Sequence, residues 1–193
     1  MSIKARGRQL LQPVVAFLAK HEVHPAVVTL TALPLSLVAA GAFCEGAFLL
    51  GGLLLALVGL CDSIDGELSR LTGKASDLGA FLDSNVDRLT EAIVLTGIYW
   101  YYQSWNPGAA LLAILAMVFS LMVSYVRARA EGLGRECKVG FFERPIRVVV
   151  LLVGAVVLGR TWMPVALGVI ALGSFVTMVQ RFLHVLRQKG PAA

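Results

Sequence analysis

The sequence predicts an all-α polytopic membrane protein, with six transmembrane helices preceded by an N-terminal amphipathic helix lying on the membrane surface. Three observations carry this prediction. Of 193 residues, 58% are hydrophobic and only 15% charged, with a mean hydropathy of +0.78, far from the composition of a soluble globular domain. Apolar runs recur near residues 27–44, 46–62, 79–102, 108–130, 146–160 and 162–186, each long enough, or nearly so, to cross ~30 Å of hydrocarbon at ~1.5 Å per residue. Outside those runs, the lysines and arginines fall on the termini and on alternate connections.

Residues 1–25, MSIKARGRQLLQPVVAFLAKHEVHP, are basic and amphipathic and contain no long apolar run, so they read as a juxtamembrane helix and not as a cleaved signal or a first span. Residues 26–193 are expected to form one membrane domain. The first span opens beside Pro25, a residue suited to a helix start. The second passes without a break into CDSIDGELSR, which predicts a helix continuing beyond the lipid boundary. The third ends in Tyr99, Trp100, Tyr101, Tyr102 and Trp105, an aromatic belt at the outer interface. The fourth runs into SYVRARAEG. The fifth is the shortest and must start near Pro145 and run past Gly159 to span. The sixth ends in the basic tail VQRFLHVLRQK.

With six spans, one side of the membrane holds Lys4, Arg6, Arg8 and Lys20, then Arg70 and Lys74, then Arg135, Lys138, Arg144 and Arg147, and finally Arg187 and Lys189. The other side holds little beyond Arg160. Both termini are therefore expected in the cytoplasm of a multi-pass cell-membrane protein. The net charge of +5 suits an anionic leaflet or an anionic substrate, while too little of the chain lies outside lipid for nucleic-acid binding. Cys44, Cys61 and Cys137 lack C-x-x-C spacing and read as small buried hydrophobes.

Against this apolar background stand four aspartates. Asp62 and Asp65 are spaced i, i+3, and Asp83 and Asp87 i, i+4, so each pair projects from one helix face. A charge at mid-bilayer costs roughly 2.5–3.5 kcal/mol even on a lenient scale. Two such faces opposed would bring four carboxylates to one point, and their repulsion calls for hard cations that prefer oxygen ligands, one or two Mg²⁺ or Mn²⁺. Ser69 continues the first stripe, Gly66 clears space beside it, and Arg70 can reach a phosphate near a metal. Gly79 shares the face of Asp83 and Asp87. Divalent metal, arginine and an open helix face together suggest phosphoryl-group chemistry, with the active-site end on the cytoplasmic side.

The pattern Asp62-x2-Asp65-Gly66-x2-Ser69-Arg70-x8-Gly79-x3-Asp83-x3-Asp87 resembles the signature of the CDP-alcohol phosphatidyltransferases, departing from it only at Ser69, where the family usually has alanine. The resemblance implies six spans, a surface N-terminal helix and a homodimer. It also implies transfer of a phosphate-bearing group from a CDP-linked lipid, normally CDP-diacylglycerol, to an alcohol with release of CMP. On the matching positions, Asp62, Asp65, Asp83 and Asp87 would hold the metals, Asp87 would be the general base, and Asp62, Gly66, Ser69, Arg70 and Gly79 would line the CDP site. Pro25-Ala26-Val27-Val28-Thr29 matches the family's P-N-x2-T at its proline and threonine but not its asparagine, which makes Thr29 a further candidate for the nucleotide.

The stretch SYVRARAEGLGRECKVGFFERPIR resembles the phosphatidylinositol phosphate synthase branch and its archaetidyl relatives. That branch implies that Arg127, Arg144 and Arg181 bind the phosphate of a small phosphorylated alcohol, inositol phosphate foremost. Ile146 departs from the branch's E-R-P-E-R and bears on selectivity for inositol. Glycerol 3-phosphate, giving phosphatidylglycerophosphate, is the main rival acceptor. A small ion or proton transporter would also explain intramembrane acids, but not glycines and an arginine at these spacings. A prenyl transferase would release pyrophosphate and cluster its aspartates differently. His21, His24 and His184 lack metal-ligand spacing and are expected at the interface, while Glu67 and Glu91 flank the aspartates as possible supports.

Overall fold

The computed structural model describes residues 3–188, and their side chains from residue 11 onward. Every regular element among them is helical: α1 (Ile3–Lys20), α2 (Pro25–Cys44), α3 (Phe48–Leu71), α4 (Asp77–Tyr102), α5 (Pro107–Glu131), α6 (Arg144–Val153) and α7 (Gly159–Arg187), with a π-helical turn, Gly154–Leu158, between the last two. The helix starts follow local chemistry. Ser76 Oγ accepts the Gly79 N–H at 3.1 Å to open α4, and Asn106 Oδ1 accepts that of Ala109 at 3.1 Å ahead of Pro107. His24 does the same for α2 through Nδ1, 3.3 Å from the Ala26 N–H, so this histidine is a cap. As its sequence requires, α3 carries straight through the carboxylates to Leu71.

Four segments are long and apolar enough to cross a membrane: Pro25–Cys44, Phe48–Leu71, Pro107–Glu131 and Arg144–Arg187. The protein is a multi-pass membrane protein. The last segment is folded back on itself. Gly159 has φ +65°, and a Cβ on Gly154 would lie 2.7 Å from both Ala166 Cβ and Met163 Sδ, whereas twelve residues of straight helix would separate 154 from 166 by ~18 Å. α4 is long but carries Asp77, Asp83, Asp87, Arg88 and Glu91 before its apolar C-terminal stretch.

α2 lies against α3 and α4, α5 against α7, and α4 joins the two groups. The main core gathers Phe43, Phe48, Ile98, Tyr102, Leu167 and Ile170. At Gly97 the α2–α4 crossing is so close that a Cβ would sit 2.5 Å from the Ala40 carbonyl oxygen, the small-residue packing that lets membrane helices touch backbone to backbone. Leu37, Leu49, Leu53, Val157 and Leu172 stand more than half exposed on the outside, where lipid replaces water as the solvent.

One expectation changes. The aromatic cluster is a belt only in part: Trp100 and Trp105 are exposed, but Tyr102 is 0% exposed, packs on Phe48, Tyr101 and Trp105, and donates its hydroxyl to the Arg160 carbonyl. A phenol with a backbone acceptor can be core as readily as interface. α1 is docked through Leu11, Val15 and Leu18 onto Val28 and Leu68, with Phe17 facing outward. The side chains of Lys4, Arg6 and Arg8, and Lys189 altogether, lie outside the described residues.

Candidate active site

The C-terminal half of α3 and the N-terminal half of α4 present their carboxylates to each other. Oxygens of Asp62, Asp83 and Asp87 all lie within 4.8 Å of one another. Oxygens around a single ion of ~2.1 Å bond length are separated by ~3–4.2 Å, so a small contraction would make this a ligand set. Asp83 Oδ1 is also buried with no hydrogen-bond partner, a lone pair that the fold leaves for something else. A hard divalent cation fits these residues. Asp65 stands apart from the trio. It is buried and accepts the Thr29 hydroxyl at 2.5 Å, a contact that fastens α2 to α3 at the edge of the carboxylate group.

Into the same group comes Arg144, the first residue of α6. Its Nη1 is 2.7 Å from Asp87 Oδ2 and 3.4 Å from Asp62 Oδ2, while its Nε is buried without a partner. The guanidinium thus offsets part of the negative charge and keeps an unused donor inside the site.

Beside the aspartates a cavity of about 500 Å³ opens between α2, α3 and α4. Thr29, Asp65, Gly66, Ser69, Gly79 and Asp83 all line it, so most residues the sequence nominates for the nucleotide do converge. A Cβ on Gly66 would meet nothing closer than the Arg70 guanidinium at 3.5 Å, an ordinary contact. The packing of the protein on itself therefore does not require glycine at this position. Ser69 donates to the Gly66 carbonyl at 3.0 Å, which satisfies its extra oxygen within the helix. Arg70 is not on the lining; it is more than half exposed and pairs with Glu67 at 3.0 Å. Lys74, from the α3–α4 connection, lines the cavity too, and its position eight residues before Leu82 in a basic loop gave no sign of this.

The three arginines nominated for an acceptor phosphate have different surroundings. Arg127 is 43% exposed and pairs with Glu131 one turn on, at 2.9 Å. Arg181 is 3% exposed and donates to the carbonyls of Val139 (2.8 Å) and Val123 (2.9 Å) and to Glu143 Oε1 (3.0 Å). Arg127 lies within electrostatic reach of both Arg181 and Glu143, and Glu143 immediately precedes Arg144. Cys137 is wholly buried between these arginines, and burial pushes its thiol up, which keeps it a neutral packing group. Arg135 donates to the carbonyls of Val185 and Gln188, capping α7.

The most buried ion pair among the described residues was not assigned from sequence. Arg147 donates through Nε and Nη2 to both oxygens of Glu91, at 2.6 and 2.9 Å, with side chains 2% and 9% exposed. A signal existed: Glu91 is four residues after Asp87 and Arg147 three after Arg144, so each shares a face with a site residue.

A sequence profile for CDP-alcohol phosphatidyltransferases matches residues 22–186. The chain belongs to the CDP-alcohol phosphatidyltransferase family. Among similar members is the archaetidylinositol phosphate synthase of Methanothermobacter thermautotrophicus, 38% identical over 82% of this chain and 80% of its own. The phosphatidylinositol phosphate synthase of Cutibacterium acnes is 34% identical over 95% of this chain and 96% of its own. In three dimensions the chain resembles the Mycobacterium tuberculosis phosphatidylinositol phosphate synthase. The crystal structure of that phosphatidyltransferase with CDP-DAG bound superposes with a TM-score of 0.87 at 27% identity, covering 96% of this chain and 99% of that one. Its complex with manganese and citrate superposes with a TM-score of 0.86 at 28% identity, covering 94% and 92%.

Proposed function

We propose that this phosphatidyltransferase moves a phosphatidyl group from CDP-diacylglycerol to a phosphorylated alcohol, inositol phosphate foremost, giving phosphatidylinositol phosphate and CMP. The observation that carries the reading is the junction of Asp62, Asp83 and Asp87 with a nucleotide-sized cavity on one side and the Arg144 guanidinium on the other. Similarity to synthases of inositol phosphate lipids supports the choice of acceptor. Ile146 is partly exposed on the first turn of α6, so its departure from the branch pattern leaves the Arg144 contacts intact.

In this proposal Asp62, Asp65, Asp83 and Asp87 hold divalent ions, Mg²⁺ or Mn²⁺, two at full loading. When bound, such ions neutralise the pyrophosphate and stabilise departing CMP. Thr29 fixes the Asp65 carboxylate; Gly66 and Gly79 admit the cytidine and phosphates against the helix backbones; Ser69, Lys74, Asp62 and Arg70 complete that side. An Asp87 oxygen takes the proton from the acceptor hydroxyl as its oxygen bonds to the lipid-bearing phosphorus and the bond from that phosphorus to CMP breaks. Arg144 holds the acceptor's own phosphate, with Arg127 and Arg181 behind it.

The topology belongs to the same proposal. The four apolar segments, with the last folded at Gly159 and counted twice, give six crossings once α4 is added. α1 lies on the surface, the active site and both termini face the cytoplasm, and two copies form a homodimer as the family resemblance implies. The deciding experiment is CMP release by purified protein with CDP-diacylglycerol and Mg²⁺ or Mn²⁺, offered inositol 1-phosphate, glycerol 3-phosphate, free inositol and serine in turn. Metal-dependent release with inositol phosphate alone is expected. Release with glycerol 3-phosphate would move the acceptor, and silence with all four would overturn the reading.

A further inference from the structure

We propose that the buried Glu91–Arg147 pair is a positioning device: it sets the rotation and height of α6 against α4 so that Arg144 reaches Asp87 and Asp62 and can receive the acceptor's phosphate. This rests on the reading of Arg144 given above. Two arginine–carboxylate contacts join α4 to α6. One is Arg144 on Asp87 at 2.7 Å; the other is Arg147 on Glu91 at 2.6 and 2.9 Å. Their members are three residues apart on α6 and four apart on α4, about one turn on each helix, so the contacts stack as successive rungs. α6 otherwise packs against α3 and α7, without close backbone packing on α4, so its placement against α4 falls to side chains.

The two rungs differ in character. Around Arg144 the site is open enough for the Asp62 and Asp87 side chains to keep some exposure, whereas Glu91 and Arg147 are almost wholly enclosed. Arg147 also reaches the Phe142 carbonyl at 3.4 Å, bracing the chain that leads into α6. Removing two charges from solvent carries a large desolvation cost, so a buried pair is poor evidence of stabilisation. A bidentate pair does impose one relative geometry on the two helices that carry it. At the neighbouring rung, where substrate must displace or join the aspartate contact of Arg144, an error of about 1 Å is enough to cost on the order of a hundredfold in rate.

The test replaces both charges with apolar groups of similar volume, Glu91→Leu with Arg147→Met, in the full-length protein. CMP release is followed while CDP-diacylglycerol and the phosphorylated acceptor are varied separately. The double variant is expected to melt no lower than the parent, to raise the acceptor KM roughly ten- to a hundredfold, and to leave the donor KM within about twofold. Glu91→Asp, which keeps the charge, is expected to recover most of the acceptor KM. An acceptor KM unchanged in the folded double variant, or donor and acceptor constants rising together, would overturn the proposal. Should the double variant not fold, Glu91→Gln, which keeps one hydrogen bond to Arg147, is judged by the same two constants. A parent protein silent with every phosphorylated acceptor would bring down the functional reading and this inference with it, while an active parent with an unaffected variant would bring down this inference alone.

Discussion

Asp87 and Asp83 share a helix face, yet their neighbours differ. Asp87 faces Arg144, on the side where an acceptor phosphate would be held, and Asp83 borders the nucleotide-sized cavity. Asp87→Asn is therefore expected to abolish turnover while CDP-nucleotide binding persists, measured by single-turnover CMP release beside equilibrium binding of a CDP analogue; full activity would remove Asp87 as base. Gly66 leads to an opposite pairing of effects. Alanine there meets no close neighbour in the protein and gains roughly 1 kcal/mol of helix propensity, so Gly66→Ala should keep or raise the melting temperature while raising the donor KM. A fall in both would mean that the glycine is needed for packing. The aspartates and glycines were readable in the sequence because all sit within two helices, where spacing alone fixes the face. The Thr29–Asp65 bond, 36 residues apart, was not, since it depends on how α2 is laid across α3.

At the level of elements, the fold turns on two places where a side chain is absent. Gly97 lets α2 and α4 cross with backbone in contact at Ala40, and Gly159 lets α7 fold back along the π-helical turn. Gly97→Ala would force a methyl to within 2.5 Å of a carbonyl oxygen, so the helices must part. A loss of about 1–3 kcal/mol is expected, read as a lower melting temperature in a fixed detergent; an unchanged value would show that the crossing is looser than this distance implies. The six apolar runs became helices because long hydrophobic stretches have few alternatives in lipid. The α6–α4 rungs were hidden for a different reason: the sequence orders residues along each helix and says nothing about which helix lies opposite. The same limit explains Tyr102, whose composition fits an interface and whose position is decided by Phe48 and Arg160.

For the whole molecule, the charge distribution makes a topological prediction. Cysteines placed at Lys138 and at Arg160, in a background lacking the three native ones, should label with an impermeant thiol reagent from opposite sides of the membrane; labelling from one side would change the number of crossings. The carboxylate group also has a geometric consequence for how two substrates share the enzyme. Asp83 belongs to the cavity lining, whereas Asp62 and Asp87 meet Arg144, which lies off that lining. On the proposed reading the acids would stand as a party wall, with a room for the donor's nucleotide on one side and a doorway for a water-borne partner on the other. Neither guest would then have to leave before the other arrives. Initial rates taken over a grid of both concentrations should then give intersecting double-reciprocal lines, and parallel lines would require that the wall itself carry the cargo between visits.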